Sequence, residues 1–191
     1  MQACIDEAGR GCMLGRVYSA SVIWNTENTH KLLKDSKKLT PNQITIMYDY
    51  VIDNAIDYGV GFAEPREIDA MNILKATQLS MRRALDSLVL DIDDICVDGN
   101  YFEGYKDVPY QCIIQGDSSM PGISAASIVA KYTRDAYIAD LCTAHEELHT
   151  YKIHKNKGYC TKDHIDGIKQ HGRTEHHRKT FLLPTEKLCK I

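Results

Sequence analysis

Long apolar runs are missing from this 191-residue chain. No stretch approaches the roughly 20 residues needed to span a bilayer. The opening Met1-Gln2-Ala3-Cys4 leads straight into strand-like sequence, with no secretory leader. A membrane anchor and export are therefore not expected, and a soluble cytoplasmic protein is. Internal repeats and low-complexity tracts are also lacking. Cysteine is present, but without a pattern: seven residues at 4, 12, 96, 112, 142, 160 and 189, with no Cys-x-x-Cys pair. An odd, scattered set argues against a disulfide framework or a structural zinc site and fits free thiols in a reducing compartment.

The composition is that of an ordinary globular protein, 43% hydrophobic and 26% charged. The length suits one domain with a real core, and a monomer is the default expectation. A net charge of −3 conceals an asymmetry. Residues 151–191 carry ten Lys and Arg against four Asp and Glu, a balance of +6, whereas residues 1–150 stand at −9. An acidic body with a basic C-terminal segment can hold cations in one place and a polyanion in another. Charge alone is equally met by a solvated lysine-rich tail. The expected organisation is a core over about 1–150 and a basic, helical substrate-binding segment over about 151–191.

Strands are expected near residues 3, 18, 59, 96 and 112. The second, over 16–24, is β-rich and should form a hairpin with the first through the turn at 9–11. Thr40 before Pro41 makes an N-cap and first helical residue, placing a helix over about 41–55. Residues 65–88 predict the clearest helix, with Ile68, Met71, Leu74, Met81, Leu85 and Leu88 in one apolar stripe. Pro121 opens a helix through Ser124, Ala125, Ala126 and Ser127 towards 149, and a last helix covers 161–171. This order of elements implies an α/β fold, a mixed central sheet flanked by helices.

The most informative stretch is Cys4-Ile5-Asp6-Glu7-Ala8-Gly9-Arg10-Gly11. Carboxylates where a buried strand ends are costly unless they bind a cation, and glycines let backbone N–H groups approach a ligand. Two further strands finish at Asp98-Gly99-Asn100 and Gly116-Asp117. Taken singly, such aspartates cap turns. Gathered at neighbouring strand ends, where α/β sheets place their functional groups, Asp6, Glu7, Asp98 and Asp117 form one acidic pocket. Two such charges about 4 Å apart repel by about 4 kcal/mol at an effective dielectric of about 20. The pocket must protonate or hold metal, and oxygen-only ligation favours Mg²⁺ or Mn²⁺. Adjacent strand residues face opposite sides, so Glu7 is expected past the end of the strand, or to contribute partly through its carbonyl.

Several blocks together resemble type 2 ribonuclease H (RNase HII), in its bacterial-type branch. They are Asp6-Glu7-Ala8-Gly9-Arg10-Gly11, Asp35-Ser36-Lys37-Lys38-Leu39, Asp98-Gly99-Asn100, Gly116-Asp117-Ser118 and the run from Ser124 to Asp135. Lys157-Gly158-Tyr159 and His177-Arg178-Lys179-Thr180-Phe181 continue the match in order. The resemblance implies a ribonuclease H-like fold and endonucleolytic cleavage of RNA in RNA–DNA hybrids, including incision 5′ of single ribonucleotides in duplex DNA. It implies Asp6, Glu7, Asp98 and Asp117 as the catalytic acids. They would bind two Mg²⁺ or Mn²⁺ ions and leave 5′-phosphate and 3′-hydroxyl ends.

The resemblance also assigns substrate contacts. Gly9, Arg10 and Gly11 would read the ribose 2′-OH, the group that separates RNA from DNA. Tyr159 would stack on the sugar beyond the RNA–DNA junction. Ser36, Lys37 and Lys38 would meet the phosphate backbone. Ser127, Lys131 and Arg134 share a helix face and are candidates for the same task, though Lys131 can instead pair with Asp135. The basic 151–191 segment would clamp the duplex, with binding that weakens steeply in salt. His176-His177 has no third ligand at suitable spacing, so surface or backbone contacts are expected there. Cys12 and Arg16 stand where the family usually has prolines, and Asn156 where a histidine is common. No sliding-clamp peptide is expected after Phe181.

Two other readings compete. A 3′→5′ exonuclease with a four-acid site needs Asp-x-Glu, both acids on one strand face, whereas Asp6 and Glu7 are adjacent. A non-catalytic nucleic-acid-binding module has no need of a costly acidic pocket.

Overall fold

Alternation along the first strand sorts its side chains into two layers. Cys4 and Asp6 face one helical layer and Ala3 and Ile5 the other. The structure, a computed structural model, describes residues 1–25, 27, 30–34 and 39–183. One mixed sheet contains β1 (Gln2–Ala8), β2 (Val17–Trp24), β3 (Ala55–Ala63), β4 (Asp94–Asp98) and β5 (Tyr110–Ile113), in the order β3-β2-β1-β4-β5. The pairs β3–β2 and β2–β1 are antiparallel, while β1–β4 and β4–β5 are parallel. This mixed sheet flanked by helices is the architecture expected from the sequence.

Helices α1 (Pro41–Asn54) and α4 (Pro121–Ala144) cover one face, where Met47, Val51, Ala125, Ile128 and Val129 pack with Ala20, Val22 and Trp24. On the other, Met81 and Leu85 of α2 (Pro65–Asp86) pack with Ala3, Ile5, Ile95 and Val97. Helix α2 comes so close to β3 that a Cβ on Gly61 would lie 2.2 Å from the Ser80 carbonyl oxygen. The Thr40 cap works as anticipated: its hydroxyl accepts from the Gln43 N–H, and the Gln43 side chain accepts from the Thr40 N–H.

Four local expectations need correction. The connection from β1 to β2 is no tight turn; residues 9–16 make an excursion that bridges Cys12 to Tyr159 and Leu14 to His177. The stripe along α2 is broken at Asn72, whose non-helical φ of 71° kinks the helix and leaves Leu74 exposed. Helix α4 stops at Ala144, because His145 leaves helical geometry at φ −131° and a 3₁₀ turn follows over Glu146–Tyr151. Strand β5 ends at Ile113, and Gln115 takes a left-handed φ of 55° into the short α3 (Gly116–Ser119).

Past α4, α5 (Ile153–Asn156) and α6 (Lys162–His171) complete the helices. Leu148, Tyr151, Ile153, Ile168 and Leu183 bury themselves against Ile138 and Cys142 of α4 and against Met13 and Leu14 of the excursion. The basic segment is thus apolar on the side that meets the core, and its lysines at 152, 155, 162, 169 and 179 are exposed. Among the described residues no helix is long and apolar enough to cross a membrane.

Candidate active site

Parallel pairing of β1 and β4 runs in register through Ile5 and Val97, so the next residues, Asp6 and Asp98, sit side by side. Both border a cavity of about 320 Å³, together with Glu7, Gly9, Ser127, Lys131, Arg134, Asp135 and Tyr159. It opens where the strands' carboxyl ends meet α4, the usual location for a site in such a sheet.

Asp6 is 5% exposed, and burial pushes its carboxyl well above the usual carboxylate range, with Glu7 and then Asp98 adding to the push. The Ser127 hydroxyl and the Glu7 N–H, 2.7 Å from Asp6 Oδ1, donate to the carboxylate and partly offset this. Glu7 is not past the end of the strand. It lies within β1 opposite Ser19, on the side facing Thr77 and Gln78 of α2, and pairs with Arg10 at 3.0 Å. The acidic space wraps around the strand, so residues on opposite faces both border it. Asp98 closes β4 and accepts from the Gly116 N–H at 2.7 Å. Asp117 follows in α3, buried at 4% exposure, next to that N–H but outside the set that lines the cavity. It stands in a helical turn and not at a strand end.

Excess negative charge that raises the Asp6 pKa is relieved by a proton or a cation. The all-oxygen donors of Asp6, Glu7 and Asp98 suit a hard divalent ion such as Mg²⁺ or Mn²⁺.

The excursion that holds Gly9, Arg10 and Gly11 is fastened from behind. Arg178 is fully buried, and its guanidinium donates to four carbonyls: Gly9 at 2.8 Å, Arg10 at 2.9 Å, Gly15 at 2.9 Å and Arg16 at 3.0 Å. Burial lowers its pKa to about 10. Backbone bonds from Met13 N–H to Gly158, Gly15 N–H to His176 and Arg178 N–H to Met13 complete the fastening. Asp69 anchors the same segment to α2 by accepting from the backbone N–H groups of Lys179 and Thr180, both at 2.9 Å. Sequence reading gave Arg178 no role, and its block in the family resemblance was the one signal that pointed to it.

Gly9 has φ +89°, and a Cβ there would lie 3.1 Å from Arg134 Nε and 3.3 Å from the Arg16 carbonyl. Gly11 is different: nothing lies within 4 Å of a Cβ at that position. The fold needs a glycine at 9, whereas at 11 the space is open to a ligand.

The helix face at Ser127, Lys131 and Arg134 does reach the cavity, but its cations are engaged. Lys131 pairs with Asp135 at 3.2 Å. Arg134, 1% exposed, donates to Asp135 at 3.1 Å, to Cys12 Sγ at 3.0 Å and to the Lys157 carbonyl, and its guanidinium stands 5.4 Å from the Tyr159 ring. It braces the loops; a free phosphate contact is not its geometry. Tyr159 remains 46% exposed at the cavity edge. Ser36, Lys37 and Lys38 lie outside the described residues.

The three departures from the family pattern each have a local use. Cys12 accepts from Arg134. Arg16 pairs with Glu64 at 2.7 Å and lies over the rings of Phe62 and Tyr137, at 4.0 Å and 4.6 Å. Asn156 donates to the Tyr151 carbonyl and accepts from the Gly158 N–H, both at 2.8 Å, shaping the turn before Tyr159. Behind that turn His177 is buried at 1% exposure, so of the surface or backbone contacts expected there it makes the backbone one. Its Nδ1 accepts from the Thr174 N–H, so Nε2–H donates to His164 Nε2 at 3.1 Å and His164 Nδ1–H donates to the Tyr159 carbonyl at 2.9 Å.

Among known proteins, the Ribonuclease HII family matches residues 3–183. The Ribonuclease HII of Christiangramia forsetii is 46% identical over 182 residues, which cover 95% of this chain and 90% of that one. The ribonuclease H2 of Pyrococcus horikoshii superposes with a TM-score of 0.75 at 28% identity, covering 100% of this chain and 99% of that one. Bst-RNase HIII, solved in complex with Mn²⁺, shares the fold at a TM-score of 0.74 and 18% identity, covering 98% and 69% of the two chains.

Proposed function

This chain belongs to the ribonuclease HII family, a hydrolase with ribonuclease H activity, and from that premise we propose its substrate and chemistry. It cuts the RNA strand of RNA–DNA hybrids and nicks duplex DNA 5′ of a single embedded ribonucleotide, leaving 5′-phosphate and 3′-hydroxyl ends. The observation that carries this reading is the gathering of Asp6, Glu7 and Asp98 around one cavity that also contains Gly9 and Tyr159.

Asp6, Glu7, Asp98 and Asp117 would hold two divalent cations, Mg²⁺ or Mn²⁺; bound there, the ions would supply activation of water and stabilisation of charge at the phosphodiester. The chain's own groups prepare that site. Ser127 and the Glu7 N–H fix the Asp6 carboxylate, and the Gly116 N–H fixes that of Asp98. Charge and orientation are thus set before substrate arrives. Gly9 to Gly11 present backbone to the ribose 2′-OH, with Gly11 leaving room for it, and Arg178 keeps those carbonyls in place. The Tyr159 ring, braced by Arg134 and buttressed through His164, offers a face for the sugar beyond the junction. Exposed lysines of the C-terminal segment supply salt-sensitive attraction to the duplex.

A duplex carrying one ribonucleotide, incubated with and without Mg²⁺ or Mn²⁺, tests this. Metal-dependent nicking 5′ of the ribonucleotide is expected. Nibbling from 3′ ends would identify an exonuclease, and binding without cleavage a recognition module.

A further inference from the structure

Away from the acidic cavity, three side chains from two segments distant in sequence meet. His145 caps the C-terminus of α4, Glu147 lies in the 3₁₀ turn that follows, and His176 precedes the buried His177 and Arg178. Each offers one ligand atom, and the three atoms lie within 4.8 Å of one another. The rings of His145 and His176 have centroids 4.3 Å apart at 60°, and His145 Nδ1 is 3.5 Å from Glu147 Oε1. A separate observation concerns His176 itself: its Nε2 is buried and has no hydrogen-bond partner. A buried imidazole nitrogen left unmatched is costly and asks for a donor, an acceptor or a metal. His176 also borders a cavity of about 260 Å³ between the start of α2 and Tyr137.

We propose that His145, Glu147 and His176 form a transition-metal site that takes Zn²⁺, with water completing the coordination. Two imidazoles and one carboxylate are a zinc donor set, and imidazole selects borderline cations over Mg²⁺. The site is therefore chemically distinct from the oxygen-only pocket. Its position gives it a structural task. The His176 carbonyl accepts from the Gly15 N–H at 2.9 Å, and two residues later Arg178 clamps the Gly-Arg-Gly excursion. A bound ion pins the end of α4 to the segment that carries this clamp. None of this depends on the nuclease reading.

The test is calorimetric titration of Zn²⁺ into the full chain under excess Mg²⁺, added to compete for oxygen-only sites, paired with thermal denaturation. One Zn²⁺ per chain is expected, raising Tm by roughly 5–10 °C at a hundredfold excess over Kd. His176→Ala and His145→Ala are each expected to weaken binding by at least about a hundredfold and to abolish the rise in Tm. Should His176→Ala not fold, His145→Ala, which alters a partly exposed side chain, carries the test. Failure of the wild type to bind Zn²⁺ overturns the proposal, and so does unchanged binding in His145→Ala, which would place the ion elsewhere.

Discussion

Arg178 Nη2 lies 2.8 Å from the carbonyl oxygen of Gly9, a residue 169 positions earlier in the chain. The same guanidinium holds three more carbonyls of the excursion, so one planar fork sets the shape of the loop expected to face the ribose. Lysine has one nitrogen and cannot satisfy that fan. Arg178→Lys is expected to destabilise the fold by about 3 kcal/mol in denaturant titration, since bonds from a charged donor contribute about 1.5–3 kcal/mol each. Incision at a single ribonucleotide should fall further than Mn²⁺ affinity, because the Arg178 guanidinium bonds the loop's carbonyls rather than the carboxylates.

The two glycines of the turn should separate stability from activity. Gly9→Ala meets both a positive φ and a crowded Cβ, and a loss of about 1–3 kcal/mol is expected. Gly11→Ala meets neither, so its stability should stay within about 0.5 kcal/mol of wild type. Its incision rate should nonetheless drop at least about tenfold if the open space at this position takes the ribose as proposed. Thermal denaturation and single-turnover cleavage of the two variants, side by side, check this.

Much of the framework was legible from local rules. Thr40-Pro41 marks a helix start because the threonine oxygen accepts from one orphan N–H and the proline removes another. Asp6 and Asp98 end up neighbours because parallel strands in register bring their carboxyl ends together. What stayed hidden depends on contacts far apart in the chain. Arg178 in a basic tail looks like one more solvated cation, and nothing local shows that four carbonyls from residues 9–16 will surround it. Glu7 was expected past the strand end because both acids had to reach one pocket; the structure instead lets that space wrap around β1. His176 lacked a third ligand by spacing, and only the end of α4 at Ala144 brings His145 beside it.

The buried histidine pair should make stability depend on pH. Burial, with His164 next in weight, lowers the His177 pKa from 6.5 to about 3. The unfolded chain takes up a proton on this ring below about 6.5, whereas the folded chain resists until about 3. Stability contributed by the neutral ring is therefore complete above 6.5 and lost as the pH falls through that window, by up to about 1.4 kcal/mol per pH unit. In EDTA, His177→Gln is expected to show a shallower decline of denaturation free energy between these limits than wild type.

Arg16 is held by several contacts. It pairs with Glu64 and lies over Phe62 and Tyr137. A partly exposed ion pair contributes up to about 1 kcal/mol and a cation–π contact about as much again. Arg16→Ala is thus expected to cost about 1–2 kcal/mol, and Glu64→Gln less, as read from shifts in the urea midpoint.

Single-turnover cleavage of a one-ribonucleotide duplex by Asp98→Asn is the most direct measurement of whether acids distant in sequence act as one catalytic unit. Asparagine keeps an oxygen for the Gly116 N–H but removes the charge. The expected result is a folded protein, with an unchanged circular dichroism spectrum, whose cleavage rate in saturating Mg²⁺ is lower by at least about a thousandfold. A folded variant that cuts at the wild-type rate would contradict the shared acidic site.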